Sequence, residues 1–486
     1  MLFLSTRGKT DLVCSAHAIT RGMADDGGLF VPQKFVAVPL EDIIALHNLS
    51  YQERAVKIIS LFLTDYSEEE LADAAARAYD AAKFGSCPAP VVQVNDNTDA
   101  LELWHGPTSA FKDMALQILP LLLTKAIAKT GEQHKIVILT ATSGDTGKAA
   151  LAGYADLDGI EIEVFYPNDG TSKIQHLQMA TQKGGNVQVY AVQGNFDDAQ
   201  TGVKKVFADA AVAAELEKRG IRLSSANSIN WGRLVPQIVY YFYAYFRLAE
   251  QGAVAWGKPV DFCVPTGNFG DILAGYYAKQ MGLPVGKLVC ASNKNNVLTD
   301  FLTTGTYDAR RTFYKTTSPS MDILISSNLE RLLCHVSGSS EKVAGWMQEL
   351  NTTGKYTVDA ETLEKIRETF AAGYADDAEG AAEIKARFEE NHYLCDTHTA
   401  VAFRVAETVR TEAPMVVLST ASPFKFPRDV LAALGETAPE SDFAAMAALN
   451  VKTGCPVPAS LSVLNTLPVR FNTCLLYTSD AADDLT

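Results

Sequence analysis

The chain has 486 residues, room for about three domain-sized units, and a formal net charge of −15. That acidity argues against a nucleic-acid or anionic-membrane surface as main partner, while local donors can still recognise an anionic small molecule. With 47% hydrophobic and 20% charged residues, the composition is that of a globular protein able to enclose and desolvate such a molecule.

The eight cysteines contain no CxxC pair, a pattern that suits reduced thiols in a cytoplasm rather than a disulfide framework. Cys395 and His398 come nearest to a metal-ligand pair, and no second pair accompanies them, so no metal is expected. The first residues, MLFLSTRGKTD, lack the long apolar run of a signal peptide. The greasiest stretch, Leu234 to Leu248, contains Pro236, Gln237 and Arg247 and falls short of the about 20 apolar residues of a bilayer span. It reads as a buried helix, so no membrane partner is expected. Composition does not distinguish a monomer from a dimer.

Residues 1–97 read as a helical domain. Leu40–Leu49, Tyr51–Leu63 and Ser67–Phe84 are amphipathic, and Ser67 followed by three glutamates is a good helix start. Pro88 and Pro90 mark a boundary. From about residue 100 the pattern becomes strand, loop, helix. Short apolar runs at Lys135–Ala141, Glu161–Tyr166, Val187–Val192, Val260–Val264, Lys287–Ala291 and Met415–Leu418 predict strands. Helix-length segments such as Asp197–Arg219 and Trp231–Glu250 lie between them. This alternation predicts an α/β region, residues 98–473, with parallel sheets and ligand sites in the loops at strand carboxyl ends. Residues 339–390, rich in Ala, Glu and Lys, are expected as a peripheral helical insertion. The last residues, 474–486, resemble the translation of a DNA-library adapter, so a non-native tail is expected there.

Four loops could carry chemistry. Trp104 to Asp113, ending in Ala110-Phe111-Lys112, enters an apolar helix; a partly buried amine there would favour imine chemistry, although most lysines are simply solvated. Thr140 to Lys148 follows a strand and superficially suggests a nucleotide loop. That match fails, because Gly144 and Gly147 are too close and Ala149 stands where a hydroxyl is required. It can serve as an anion cradle or only as a turn. Pro265 to Asp271 places a G-x-x-G between a strand and the helix Ile272–Met281, where backbone N–H groups can meet a phosphate. Ser419 and Thr420 end the last apolar run.

In this order the segments STRG (Ser5–Gly8), ADDGGLFVP (Ala24–Pro32), HGPTSAFKDMA, TATSGDTGKAA, SSANSINWGR (Ser224–Arg233), VPTGNFGD and LSTASPFKFP resemble the threonine synthase family. The resemblance runs from Phe3 to about Phe471. It implies a fold-type II pyridoxal 5'-phosphate (PLP) enzyme, tryptophan synthase β-like, with two parallel-sheet α/β subdomains behind the helical amino-terminal domain. It places the Schiff-base lysine at Lys112. Cofactor contacts fall on Ser143, Gly144, Asp145 and Thr146 beneath the ring, on Gly267, Asn268, Phe269 and Gly270 around the phosphate, and on Thr420 at the pyridine nitrogen. A hydroxyl at that last place leaves the ring nitrogen less firmly protonated. The implied reaction converts O-phospho-L-homoserine and water to L-threonine and phosphate, with Lys112 as general base. Ser109, Thr146, Asn230, Arg233 and Lys425 are the expected ligands of the substrate phosphate. Two departures stand out: relatives commonly carry histidine in the segment after LST, where this chain has Ser422 and Pro423, and the family's final helix is expected to be displaced by the tail. The alternative activity is that of a related PLP lyase, dehydratase or phospholyase.

Overall fold

The computed structural model describes residues 1–168, 171–194 and 196–476. Two largely parallel sheets organise the chain. The smaller runs Cys474–Leu476, Val187–Gln193, Ile160–Pro167, Lys135–Ala141, Ile221–Ser224, all parallel. The larger runs Phe370–Tyr374, Val285–Ser292, Val260–Pro265, Met415–Ser419, Thr98–Glu102, Val91–Asn95, and its Val91–Asn95 edge is antiparallel. Every apolar run expected as a strand is one, within two residues at each end. The reason is visible in the central pair. Val260–Pro265 and Met415–Ser419 are buried at every position, because helices cover both faces of a parallel sheet.

Several strands were not anticipated, among them Thr98–Glu102, Ile221–Ser224 and Phe370–Tyr374. Thr98–Glu102 (TDALE) is too polar to read as an apolar run, yet it sits between two strands and buries Thr98 and Asp99. Burial pushes the Asp99 carboxyl up to about 6. Ile221–Ser224 is a short edge. Phe370–Tyr374 lies inside the segment expected as a helical insertion. The helices Ser340–Thr353, Ala360–Thr369 and Asp377–Asn391 are present, but between the last two the chain supplies the edge of the larger sheet. That segment is therefore part of the sheet as well as a peripheral excursion.

The amino-terminal region is less purely helical than its pattern suggests. Leu2–Ser5 pairs antiparallel with both Val13–Cys14 and Phe30–Pro32, strands too short to show alternation. Helices Tyr51–Ser60 and Glu68–Ala78 begin with reciprocal capping boxes, Ser50 with Glu53 and Ser67 with Glu70. The expected helix to Phe84 breaks after Ala78, and Asp80 caps a second short helix, Ala81–Phe84. This region does not stand apart. The rings of Phe3 and Phe62 lie 5.2 and 5.6 Å from that of Trp231, which also meets Tyr277 at 5.2 Å.

The apolar stretch after Leu234 forms the buried helix Ile238–Glu250, and among the described residues no helix is long and apolar enough to cross a membrane. All eight cysteines are free thiols. Of the expected tail, Cys474–Leu476 extends the smaller sheet, and residues 477–486 lie outside the described residues.

Candidate active site

The loop before Lys112 is closed by its own aspartate. Asp113 accepts hydrogen bonds from the backbone N–H and the hydroxyl of Thr108, both at 2.8 Å. Gly106 permits this, since a Cβ there would lie 2.5 Å from the Asp113 Cβ. Ser109 takes the left-handed conformation, φ 58°, and its carbonyl accepts from the Ser422 N–H. Two residues on, the Phe111 N–H donates to the Thr420 carbonyl at 2.8 Å. The loop is thus zipped to the segment that leaves the Met415–Ser419 strand, and Lys112 is fixed at the start of the short helix Asp113–Leu116. Its Nζ sits 4.7 Å from the Phe111 ring centroid and 3.9 Å from Asp145 Oδ2. Burial pushes the Lys112 ammonium down, the nearby Arg233 and Lys425 push the same way, and Asp145 opposes them; the amine settles at about 8. A substantial neutral fraction near neutral pH is what an imine-forming nucleophile requires.

Asp145 comes from the smaller sheet. The strand Lys135–Ala141 ends in a turn organised by Thr142, whose Oγ1 accepts from the N–H groups of Gly144 and Gly147, both at 2.9 Å. Gly144 has φ 139°, and a Cβ there would strike the Gln175 side chain at 2.6 Å. Helix Asp145–Tyr154 follows, with Ser143 and Thr146 half-buried on either side of Asp145. Asp145 Oδ1 accepts from Lys425 Nζ at 2.5 Å and from Gln175 Nε2 at 3.0 Å, and Oδ2 lies 3.4 Å from the Ser320 hydroxyl. Burial alone would raise this carboxyl, but the Lys425 and Lys112 ammonium groups outweigh it and hold the group well below the usual carboxylate range.

The Gly267–Gly270 loop has the form of an anion cradle. Its carbonyls are turned inward and bonded: Gly267 O accepts from Ser326 Oγ at 2.8 Å, and Asn268 O from both the backbone N–H and Nδ2 of Asn328. A Cβ on Gly267 would lie 2.8 Å from the Ser320 carbonyl. Phe269 is buried with φ 62°, and the helix Gly270–Gln280 starts after it with first-turn N–H groups that have no partner within the helix. This is the donor set a phosphate prefers.

Arg233 is buried on the short helix Trp231–Leu234. Its Nη1 donates to the Ala226 carbonyl at 2.8 Å, while its Nε is buried without an acceptor among the described residues. Burial lowers this guanidinium to about 10. Lys425 is fully buried, and its Nζ is held by Asp145 and, at 3.3 Å, by the Thr108 carbonyl. Ser109 Oγ meets Ser460 Oγ at 3.3 Å, and Thr420 is buried at the end of its strand. Asn230 is differently used. Its Oδ1 caps the Gly232 N–H and its Nδ2 donates to the Ile19 carbonyl, both at 2.9 Å, so it braces the loop that carries Arg233. His398 does not pair with Cys395: its Nδ1 is 2.6 Å from Asp396 Oδ2, and its Nε2 accepts from the Ser320 N–H. No group of side chains suited to a metal ion occurs among the described residues.

Several participants carried no sequence signal. Gln175 and Ser320 reach Asp145 from segments without a motif, and Asn328 reaches Asn268 from 60 residues away. Distant hydrogen-bond partners leave no periodicity to read.

A largely buried lysine of lowered basicity, an ionised carboxylate opposite it, and a glycine-lined helix start for a phosphate define a class: enzymes that anchor a phosphorylated aldehyde cofactor on lysine. Comparison with known proteins specifies it. Residues 2–79 match the family model for the threonine synthase N terminus, residues 100–420 that for pyridoxal-phosphate dependent enzymes, and residues 399–475 that for the threonine synthase C-terminal region. The threonine synthase of Pseudomonas aeruginosa is 40% identical over 437 residues, covering 88% of this chain and 90% of its own. The crystal structure of PLP-bound threonine synthase from Brucella melitensis superposes with a TM-score of 0.88 at 38% identity, covering 100% of this chain and 98% of that one. Yeast threonine synthase does so with a TM-score of 0.87 at 34% identity, covering 100% and 97%. The chain belongs to the threonine synthase family of PLP-dependent enzymes.

Proposed function

We propose that this protein converts O-phospho-L-homoserine and water to L-threonine and phosphate, with Lys112 as cofactor anchor and proton carrier. The observation that carries this reading is the Lys112 amine, largely buried, lowered to about 8 and held 3.9 Å from an ionised Asp145. PLP, when bound, supplies the electron sink that makes the substrate Cα proton removable. The residues around it accept the group. The Gly267–Gly270 loop and the start of the Gly270–Gln280 helix offer backbone N–H donors to its phosphate, and Gly144 leaves room above Gln175 where a side chain would intrude.

Lys112 Nζ, when free, would be the base that takes the substrate Cα proton, and a value of about 8 would let it return protons later in the reaction. Asp145 keeps its charge throughout and stabilises the ammonium form of Lys112 whenever the proton resides there. Arg233, with a buried Nε awaiting an acceptor, offers its fork to the substrate phosphate. Ser109, Thr146 and Lys425 are the further side chains assigned to that phosphate, while Asn230 acts by holding the Arg233 loop in place. A cavity of about 1010 Å³ between Ser172 and Phe443 has Lys425, but none of the other site residues, in its wall.

The test is a product assay on the PLP-loaded protein with O-phospho-L-homoserine. Equal amounts of threonine and phosphate are expected, with the Arg233→Ala variant raising KM by about 30- to 100-fold for the loss of a charge-assisted contact. Formation of 2-oxobutyrate in place of threonine would move the protein to the phospholyase or dehydratase reading, and an unchanged KM would remove Arg233 from the phosphate site.

A further inference from the structure

The STRG and DDGGLFVP segments lie outside the catalytic loops, and the proposed reaction gives them no part. In the fold they converge on two buried residues at the start of helix Leu329–Ser337. Glu330 accepts from Thr6 Oγ1 at 2.8 Å, from Arg7 Nη2 at 2.9 Å and from the Leu29 N–H at 3.1 Å. Beside it, Arg331 is completely buried. Its Nε donates to the Phe30 carbonyl at 3.0 Å, its Nη1 to the Ser228 carbonyl and to Asn328 Oδ1, and its Nη2 to the Ile229 carbonyl at 2.5 Å. Among the described residues no carboxylate hydrogen-bonds to this guanidinium; backbone carbonyls and one amide accept from it. Asn328 completes the chain of contacts, with Nδ2 donating to Asn268 O at 3.0 Å and to Ser228 Oγ at 2.9 Å.

We propose that Glu330, Arg331 and Asn328 are positioning residues through which the amino-terminal sheet sets the spacing between the cofactor-phosphate loop and the substrate loop. The proposal rests on the reading of the site given above. The physical argument is that a planar fork binds several acceptors in one fixed geometry. Here the acceptors come from the amino-terminal strand Phe30–Pro32, from the Ser228–Ile229 segment that leads into Asn230 and Arg233, and through Asn328 from the Gly267–Gly270 loop. Arg331 therefore locks three separately folded segments to one another. Burial lowers it to about 10 against the opposing pull of Tyr277 and Glu330, so it is still charged at neutral pH and its hydrogen bonds are charge-assisted. Thr6, Arg7 and Leu29 hold the adjoining Glu330 and thereby the helix end that presents the fork. A shift of about 1 Å between cofactor and substrate phosphate sites is worth about a hundredfold in rate.

The experiment compares Asn328→Ala and Arg7→Ala with the wild type, all loaded with PLP. Asn328→Ala cuts the link at the cofactor loop. Arg7 is one-quarter exposed, so its truncation leaves the fold intact and loosens the brace from outside. Three quantities are read: the Kd of PLP, the phosphorus-31 chemical shift of the bound cofactor phosphate, and KM against kcat for O-phospho-L-homoserine. Asn328→Ala is expected to weaken PLP about tenfold and to move the phosphorus resonance, and Arg7→Ala to raise KM several-fold with little change in melting temperature. A melting temperature that falls while PLP affinity, phosphorus shift and KM all stay at wild-type values would overturn the proposal, because a scaffold role alone predicts that pattern. A wild type that binds PLP but makes no threonine would instead fail the functional reading, and the PLP affinity and phosphorus shift would still decide the role of Asn328.

Discussion

Burial of Lys112 acts on the apo protein as well as on its chemistry. An amine of ordinary value 10.5 that drops to about 8 on folding binds fewer protons folded than unfolded between those limits. Stability should therefore rise with pH from about 8 to about 10.5 and be independent of this group below 8, where both states carry the proton. Replacing Lys112 by Met removes the term. The apo variant should melt above the apo wild type at pH 7, with the gap closing as pH approaches 10.5; a gap constant with pH would show that the amine is not desolvated as the structure describes. The same residue marks how far single positions can be read. A lysine after an aromatic at a helix entrance is suggestive only, and it became a site through the company of the other motifs. Gln175, Ser320 and Asn328 were illegible because their partners lie between 30 and 175 residues away in the chain.

At the scale of elements, helix Asp145–Tyr154 rests directly on the turn that carries Lys112. A Cβ at Gly153 would lie 2.0 Å from the Leu116 carbonyl oxygen, so only glycine allows this approach. Gly153→Ala should push the helix off the Asp113–Leu116 turn, costing about 1–3 kcal/mol in stability and lowering kcat by moving Asp145 against Lys112. Gly345→Ala is the control, since no atom lies within 4 Å of its Cβ position and alanine favours a helix interior. Equal effects of the two substitutions on kcat would refute the account of this contact. Elements with strong patterns were legible: continuous apolar runs became central strands, and Ser67 with Glu70 became a capped helix. Thr98–Glu102 was not, because a strand's neighbours can bury residues whose own sequence is polar, and Phe370–Tyr374 was not, because a half-exposed edge strand of mostly small residues makes no apolar run.

Across the whole molecule, two sheets meet through charge. Asp145 leaves the smaller sheet, and the two ammonium groups beside it, Lys112 and Lys425, are borne by segments leaving the larger one. Gln178 adds a neutral link, donating from the smaller subdomain to the Thr108 carbonyl at 3.1 Å. Parallel sheets followed from strand and helix alternation and their division into two from the family resemblance, but strand order followed from neither, because a hydrophobic pattern specifies which faces are buried and says nothing of which strands pair. The amino-terminal region, read as a helical domain, packs against the rest of the chain: Phe3 and Phe62 meet Trp231, and Glu330 and Arg331 bind its backbone. The central claim is that this junction readies one amine. Lys148 offers a sharp competitor, since burial lowers it to about 8 as well, but its Nζ is held by Gln182 at 2.5 Å. The direct measurement is borohydride reduction of the PLP-loaded protein followed by peptide mass spectrometry. The account predicts one phosphopyridoxyl group, on the peptide containing Lys112; a label on Lys148, on Lys425 or on no lysine would contradict it.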